Sequence, residues 1–421
     1  MSEISIGARP RPFFGWTVMW AAFVIAIFGW GVGFYGPPIF LKAVHDARGW
    51  SVGLISAAVT VHFLIGALTV ANLPRFYRRF GLPAVTISGA ASLGLGVIGW
   101  SLVQSPWQLF VATLFSGAGW VALGAAAINA MIAPWFQAKR PAALSTAFNG
   151  ASIGGVVFSP LWVALIGALG FAAAAGIVAS VMILAIAIIA FAIIGRTPER
   201  MGLLPDGAAV APVVKPGSAG AAKPVANLWT DRAFQTLALG MALALFAQIG
   251  LIAHLFSLLV PALGAQGAGL AAGGATAAAI LGRTLVGWFL PAKADRRIVA
   301  ALNCAVQMIG CAAFIAAGGS SVPLLVAGVL LFGVGIGNAT SMPPLIVQVE
   351  FAKEDGPRAV AAVTATAQAS YAFAPAIFGL IWEATALAGS AATPWLFAAA
   401  FVVQILAACA YLAGRGQFLR R

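Results

Sequence analysis

Charge is what this sequence has least of. Only 8% of its 421 residues are Asp, Glu, Lys or Arg, and just ten of those are acidic. A soluble domain carries about 25% charged and about 45–50% apolar residues. Here 62% are hydrophobic and the mean hydropathy is +1.01. No water-soluble packing hides that much apolar surface beneath a wetted exterior, so the solvent for most of these side chains is lipid. Cysteine is scarce as well. Cys304, Cys311 and Cys409 lie inside apolar runs without metal-ligand spacing, which argues against a disulfide framework or a metal cluster and leaves them as small packing residues. The chain has no nucleotide-cradling loop, no paired catalytic carboxylates and no nucleophile–base constellation, so neither an enzyme nor a cofactor is implied.

The formal charge of +13 invites a nucleic-acid reading. The basic residues, however, fall in short clusters between apolar runs and not along one face, so no nucleic-acid partner is expected. The N-terminus carries Arg9 and Arg11 and then enters a long apolar stretch without a small-residue cleavage site. It reads as a retained membrane helix and not as a signal peptide.

A span needs roughly 20 mostly apolar residues. Twelve segments qualify: Trp16–Ile39, Ser51–Leu73, Pro83–Val103, Trp107–Ile132, Ala142–Leu169, Phe171–Ile194, Ala233–Val260, Gly269–Leu290, Val299–Ala317, Pro323–Val349, Ala359–Trp382 and Pro394–Ala413. Only the Gly167–Gly170 turn separates the fifth from the sixth. Of the 23 basic residues, twenty fall in alternate connections or at the two chain ends. Lys42 and Arg48 fall on the opposite side, and Arg283 lies inside a span. Short Lys/Arg-rich loops stay cytoplasmic, so both termini are expected in the cytoplasm, on a multi-pass protein of the cell (inner) membrane with lipid around the bundle. The fold class is therefore all-α integral membrane, with twelve helices in two six-helix bundles. The first bundle covers 1–195 and the second 231–421. Between them, 196–230 is rich in Pro, Gly and Ala and reads as a flexible cytoplasmic linker.

The halves match at an offset of about 215 residues. Phe136 and Pro160 recur as Phe351 and Pro375, Gly117-Ala118-Gly119 as Gly333-Val334-Gly335, and Pro74 as Pro291. Parallel six-helix repeats are a known transporter plan, with substrate bound between halves near the midplane.

Several stretches carry a resemblance to a known family. They are Ala133-Pro134-Trp135-Phe136-Gln137-Ala138-Lys139-Arg140-Pro141-Ala142, Asn149-Gly150-Ala151-Ser152-Ile153-Gly154-Gly155-Val156-Val157-Phe158-Ser159-Pro160, Gly49-Trp50-Ser51 and Gly282-Arg283-Thr284-Leu285-Val286-Gly287. In these the chain resembles the major facilitator superfamily, specifically its monocarboxylate-porter branch, related to the oxalate–formate antiporters. The superfamily's loop signature after the second helix is degenerate: Gly66, Arg75 and Phe80-Gly81 remain, and the acidic residue near Pro74 is missing. The resemblance implies transport of a small organic anion by a monomer, with Arg283 binding a carboxylate. Two positions depart from the pattern. Ala279 stands where proton symporters of the family carry an aspartate. With Tyr35 aligned to the family's first-helix tyrosine, Ile39 stands in place of its lysine.

The residues themselves give Arg283 two readings. An arginine about 12 Å into a span costs several kcal/mol unless it faces a cavity, partner or anion, and its planar fork suits a carboxylate. Alternatively it bonds helix carbonyls or snorkels to the surface. His62 and His254 are the midspan groups able to relay a proton; equally, each serves as a neutral interhelical hydrogen-bonding group. Tyr35, Asn149, Gln248, Asn338, Gln368 and Tyr371 are candidate cavity-lining polar residues. Tyr35 leads them because Gly33-Phe34-Tyr35-Gly36-Pro37 interrupts the first helix, and broken helices mark transporter sites; a tyrosine near a helix end is also an interfacial anchor. Other readings of the chain are an exporter of amphipathic compounds on the same fold, and a membrane sensor that no longer transports.

Overall fold

The computed structural model describes residues 13–137, 139–207, 227–291, 294–352, 355–389 and 391–415. Most of the expected linker, and Arg9, Arg11, Lys215, Lys223, Lys293, Lys353, Arg420 and Arg421, lie outside the described residues. Among those described, all regular structure is helical. In chain order come α1 (Gly15–Gly33), α2 (Pro37–Arg48), α3 (Val52–Phe80), α4 (Leu82–Leu102), α5 (Pro106–Ala122), α6 (Ala125–Ile132), α7 (Arg140–Leu169) and α8 (Phe171–Ile189). Then follow α9 (Arg232–Phe289), α10 (Arg296–Ala316), α11 (Val322–Glu350), α12 (Gly356–Tyr371), α13 (Ala374–Leu387) and α14 (Ala392–Ala413).

Eleven stretches among the described residues are long and apolar enough to cross a membrane. One of them, from Arg232 to Val286, has 55 residues. At 1.5 Å per residue it measures about 80 Å, far beyond a hydrocarbon core of about 30 Å. It breaks at Gly264, whose φ of 69° and ψ of 170° leave helical geometry. A break there is consistent with two spans in this stretch, and so with the expected count of twelve. The expected gap from 261 to 268 is therefore one glycine wide, because the Ala- and Gly-rich flanks keep their helical hydrogen bonds up to the bend. Gly170 plays the same part between α7 and α8, with φ 79°. Both positions lie in left-handed φ territory that glycine enters without steric penalty.

Positions matched by the sequence repeat make matching helix contacts. A side chain at Gly117 would overlap the His62 carbonyl of α3, and one at Gly333 would overlap the Ala275 carbonyl of α9. Gly119 sits equally close to the Leu93 backbone of α4, and Gly335 to the Gln307 side chain of α10. Matched glycines thus bring matched helices into contact, as close packing without a hydrophobic driving force requires. The repeat is not strict at proline. Pro160 lies within an unbroken α7, whereas its counterpart Pro375 opens α13 just after a break in the eleventh span. Large apolar side chains such as Phe191, Leu184, Leu281 and Leu387 remain exposed on the outer faces, the pattern of a bundle wetted by lipid.

Several helix ends meet at one end of the molecule. There Arg297 at the start of α10 bonds to Glu350 at the end of α11 and to Ala233 at the start of α9. In the first half, Phe13 before α1 packs on Trp135 after α6. This end, which also holds Arg140, Arg196 and Arg415, is referred to below as the basic end.

Candidate functional site

The two halves press together at the end opposite the basic one. Gly53 N donates to Glu383 Oε1 at 3.1 Å, and Ala376 N donates to Thr60 Oγ1 at 3.1 Å. Each half thereby caps a helix N-terminus of the other, satisfying donors that the first turn leaves free. The contact is close because a side chain at Gly53 would overlap the Glu383 carboxylate and one at Gly379 would overlap Ser56.

Nearer the middle, α1 stops at Gly33 because Pro37 and Pro38 supply no N–H to continue the ladder. Phe34 N and Tyr35 N both fold back onto Trp30 O, at 3.0 and 2.8 Å. This break turns Tyr35 toward the second half. A Cβ on Gly155 of α7 would strike both the Tyr35 ring and Thr276 of α9, so its absence lets them meet. Tyr35 and Thr276 meet across the space left by Gly155, and the Tyr35 hydroxyl is close enough to Arg283 to interact electrostatically. Thr276 and Arg283 share a face of α9, two turns apart.

Arg283 is half-buried. Its Nε donates to Gly337 O of α11 at 3.2 Å. The approach is tight: a side chain at neighbouring Gly282 would overlap Val334 O. Among the described residues no carboxylate pairs with Arg283. Its two terminal nitrogens have no hydrogen-bond partner there, and they are not among the buried unpartnered atoms. Each therefore keeps some accessible surface and has its donors free among the described residues.

A second group lies on α12. Tyr371 stands one helical turn after Gln368 and meets the Phe63 ring edge-on at 5.8 Å. With Phe63, Gly66 and Trp120 these residues enclose a cavity of about 20 Å³, water-sized on the usual measure. The structure therefore brings Tyr35 to Arg283, and Gln368 to Tyr371.

The remaining candidates are scattered. His62 is fully buried within the first half, its Nδ1 2.8 Å from Ser116 Oγ, which also accepts from Trp100 Nε1 at 3.4 Å. His254 is fully buried between α9 and α13, with Nε2 3.2 Å from Pro375 O. Neither histidine lines a described cavity. Gln248 is 1% exposed with its Nε2 unpartnered. Asn149 lies on α7 about 9 Å along the axis from Gly155, and Asn338 is buried beside Gly337.

Sequence reasoning did not single out Thr276, Gly155, Phe63 or Trp120, and one more residue stands out. Arg297, which by sequence belongs among the twenty basic residues of the connections and chain ends, is 1% exposed and pairs with Glu350 through Nε–Oε1 at 2.7 Å and Nη2–Oε2 at 2.8 Å. The available signal was Glu350 itself, one of ten acidic residues in the chain, placed at a helix end.

Comparison with known proteins agrees with this architecture. No curated protein matches the chain. Among solved structures, a bacterial homologue of the human lysosomal transporter Spinster, in an inward-facing and occupied conformation, superposes with a TM-score of 0.71 at 16% identity. That match covers 98% of this chain and 99% of the other. The nucleoside transporter NupG superposes with a TM-score of 0.71 at 12% identity, covering 96% of this chain and 99% of that one. At these identities the likeness is one of fold. The family model described as Major Facilitator Superfamily matches residues 18–375, and the chain belongs to that superfamily of membrane transporters.

Proposed function

We propose that the protein moves a small organic anion across the cell membrane by alternating access, with the substrate carboxylate held by Arg283. The observation that carries this reading is an intramembrane guanidinium whose terminal nitrogens are free and which has no acidic partner among the described residues. Such a charge defaults to function, and its fork matches two carboxylate oxygens. Tyr35 stands beside it as a second donor. The tight contact around Glu383 and Thr60 supports a conformation closed at the end opposite the basic one. The clustering of basic residues supports cytoplasmic termini, which makes that conformation inward-facing.

A proton partner is not evident near Arg283. Ala279, one turn away, is 2% exposed and packs on Gly337, and Ile39 is buried and apolar. His62 and His254 are occupied in helix packing. Exchange or uniport fits these residues better than proton symport. A second reading draws on the Arg283–Gly337 bond itself: an arginine that braces α11 in an exporter of amphipathic compounds.

Uptake by purified protein in liposomes separates the two. With radiolabelled carboxylates, Arg283→Ala and Arg283→Lys should each lower uptake about 30-fold or more, since losing one partner of a desolvated charged contact costs about 2–5 kcal/mol. Lysine supplies charge without the fork. Wild-type uptake in both variants would leave Arg283 a structural brace. Uptake should not respond to an imposed pH gradient.

A further inference from the structure

The α3 helix is longer than a bilayer core is thick. Its 29 residues measure about 43 Å, against about 30 Å of hydrocarbon. Its first turn is fixed against Glu383 at the end opposite the basic one. Its last two turns therefore run past the core at the basic end, at headgroup depth. They read Arg75-Phe76-Tyr77-Arg78-Arg79-Phe80.

Helical spacing sorts these turns into faces. Leu73 and Tyr77 pack inward, in one cluster with Val85 of α4 and Ala122 of α5. Arg75, Arg78 and Arg79 lie on the opposite face and are exposed. Phe76 and Phe80 stand exposed between the two faces. Followed back toward the core, the basic face turns apolar: Ala71 and Leu68 are exposed on it, Leu68 by 64%. An apolar strip at acyl depth thus runs into three guanidiniums at headgroup depth. Apolar residues adjoining basic ones are how helices hold the boundary between headgroups and acyl chains.

These guanidiniums have no counter-charge in the protein. Arg75 Nη1 donates to Asn72 Oδ1 of its own helix at 3.2 Å, and Arg79 lies over the adjacent Phe80 ring at 5.2 Å. Among the described residues no carboxylate pairs with any of the three. The sequence leaves few to do so, since no Asp or Glu occurs between Asp46 and Glu199. After Pro291, the matching place in the second half, the protein engages its own arginines. Arg296 donates to Leu345 O at 2.6 Å, and Arg297 is bonded to Glu350.

We infer that this face of α3 binds an anionic phospholipid of the cytoplasmic leaflet. Its phosphodiester sits on Arg75, Arg78 and Arg79, and an acyl chain lies along Ala71 and Leu68. Guanidiniums hold phosphate oxygens through paired hydrogen bonds. A zwitterionic lipid offers the same phosphate with its charge already cancelled, so the net attraction selects the anionic one. Each arginine near an anionic leaflet adds about fivefold in affinity. The inference does not depend on the role of Arg283.

The test titrates the full-length protein in detergent with phosphatidylglycerol or phosphatidylcholine and counts bound lipids by native mass spectrometry. Phosphatidylglycerol should bind the wild type at least about tenfold more tightly. Changing Arg75, Arg78 and Arg79 together to glutamine should abolish most of that preference, whereas lysine at all three should keep much of it. Leu68→Asn should weaken both lipids and leave their ratio alone. Arg200→Gln, at another exposed arginine, should leave binding unchanged. Wild-type melting of the glutamine variant separates lost binding from lost fold, because all three sites are exposed. Equal binding of the two lipids, or an unchanged preference in the glutamine variant, would overturn the inference. An equal loss in Arg200→Gln would also overturn it by reducing the effect to overall charge. So would displacement of the lipid by inorganic phosphate, which would make the face an ion site only.

Discussion

The basic ends of the two halves solve one structural problem with opposite chemistry. Trp135-Phe136 and Glu350-Phe351 occupy the same register of the repeat, each closing the fourth span of its half. In the first half the corner is apolar. Trp135 packs on Phe13 and Phe14 at 6.1 and 5.3 Å, and Phe136 packs on Phe13 and Trp16 at 5.6 and 4.9 Å. Asp206 pins this corner from outside: its carboxylate accepts from Gln137 N and Lys139 N, and its own N donates to Trp135 O. In the second half the tryptophan's place belongs to Glu350, and the corner is ionic. Arg297 bonds both Glu350 oxygens, Ala233 O, Thr236 Oγ1 and Tyr411 O, so one guanidinium ties together the ends of α9, α10, α11 and α14. The first half recruits chain from before α1 and after α8, whereas the second uses its own helix ends. A repeat constrains backbone positions and leaves the chemistry at each position free.

The largest effect should come from breaking the ionic corner. Glu350→Leu leaves a 1% exposed guanidinium without its counter-charge, which typically costs about 3–5 kcal/mol. Thermal unfolding in detergent should show a large loss. Adding Arg297→Met should recover most of it, because a well-packed apolar replacement of a buried pair is often neutral or better. If Glu350→Leu alone melts like the wild type, the ion pair does not hold the corner.

A smaller loss is expected on the apolar side. Asp206→Ala removes the acceptor of two backbone N–H groups, each bond at 3.1 Å, and forces alanine into a φ of 60°. Lost caps of this kind cost about 0.5–2 kcal/mol, and a left-handed alanine adds about 1 kcal/mol. Gln137 N and Lys139 N bond to different carboxylate oxygens, so Asp206→Asn keeps one acceptor and the backbone tolerance and should lose less, with protection retained at one of the two amides. Hydrogen exchange at Gln137 and Lys139 reads the difference directly. Equal protection in all three proteins would show that the aromatic contacts alone hold this corner.

Neither corner was fully legible in the sequence. The spans were, because lipid demands long apolar runs and the chain has few charges to interrupt them. The matched glycines were, because a helix can approach another backbone that closely only where no side chain intervenes. Tyr35 and Arg283 stood out for physical reasons: a Gly- and Pro-broken helix and a charge with a large solvation cost. Arg297 did not, because a basic residue at a span end is what an unpaired cytoplasmic loop also displays. Trp120 and Phe63 did not, because aromatic residues are spread throughout a chain that is 11% Phe, Trp and Tyr. Which of them face a cavity depends on how the halves meet. The same holds for His62 and His254, whose hydrogen-bond partners lie more than 50 residues away.

The mildest test sits at the exposed margin of the ionic corner, where Asp295 caps α10 through Arg297 N at 2.9 Å and pairs with Arg415 at 2.8 Å. Partial burial pushes the Asp295 carboxyl up. The Arg415 guanidinium and the backbone N–H groups of Ile298 and Arg297 more than offset this and hold it below the usual carboxylate range. A carboxyl depressed by folding contributes stability that is present above its unfolded pKa and lost as pH falls through the folded one. Asp295→Asn keeps the cap through Oδ1, since asparagine caps as well as aspartate, and removes the charge and the acceptor that face Arg415. Because both partners are more than a third exposed, solvent screening limits the pair to well under about 1 kcal/mol. The melting temperatures of wild type and Asp295→Asn should therefore differ slightly at neutral pH and converge as the pH drops below about 4. Added salt at neutral pH should close the same small gap, whereas the Glu350→Leu deficit should persist in salt. If both deficits vanish together, the buried and exposed pairs of this corner are not distinct in kind.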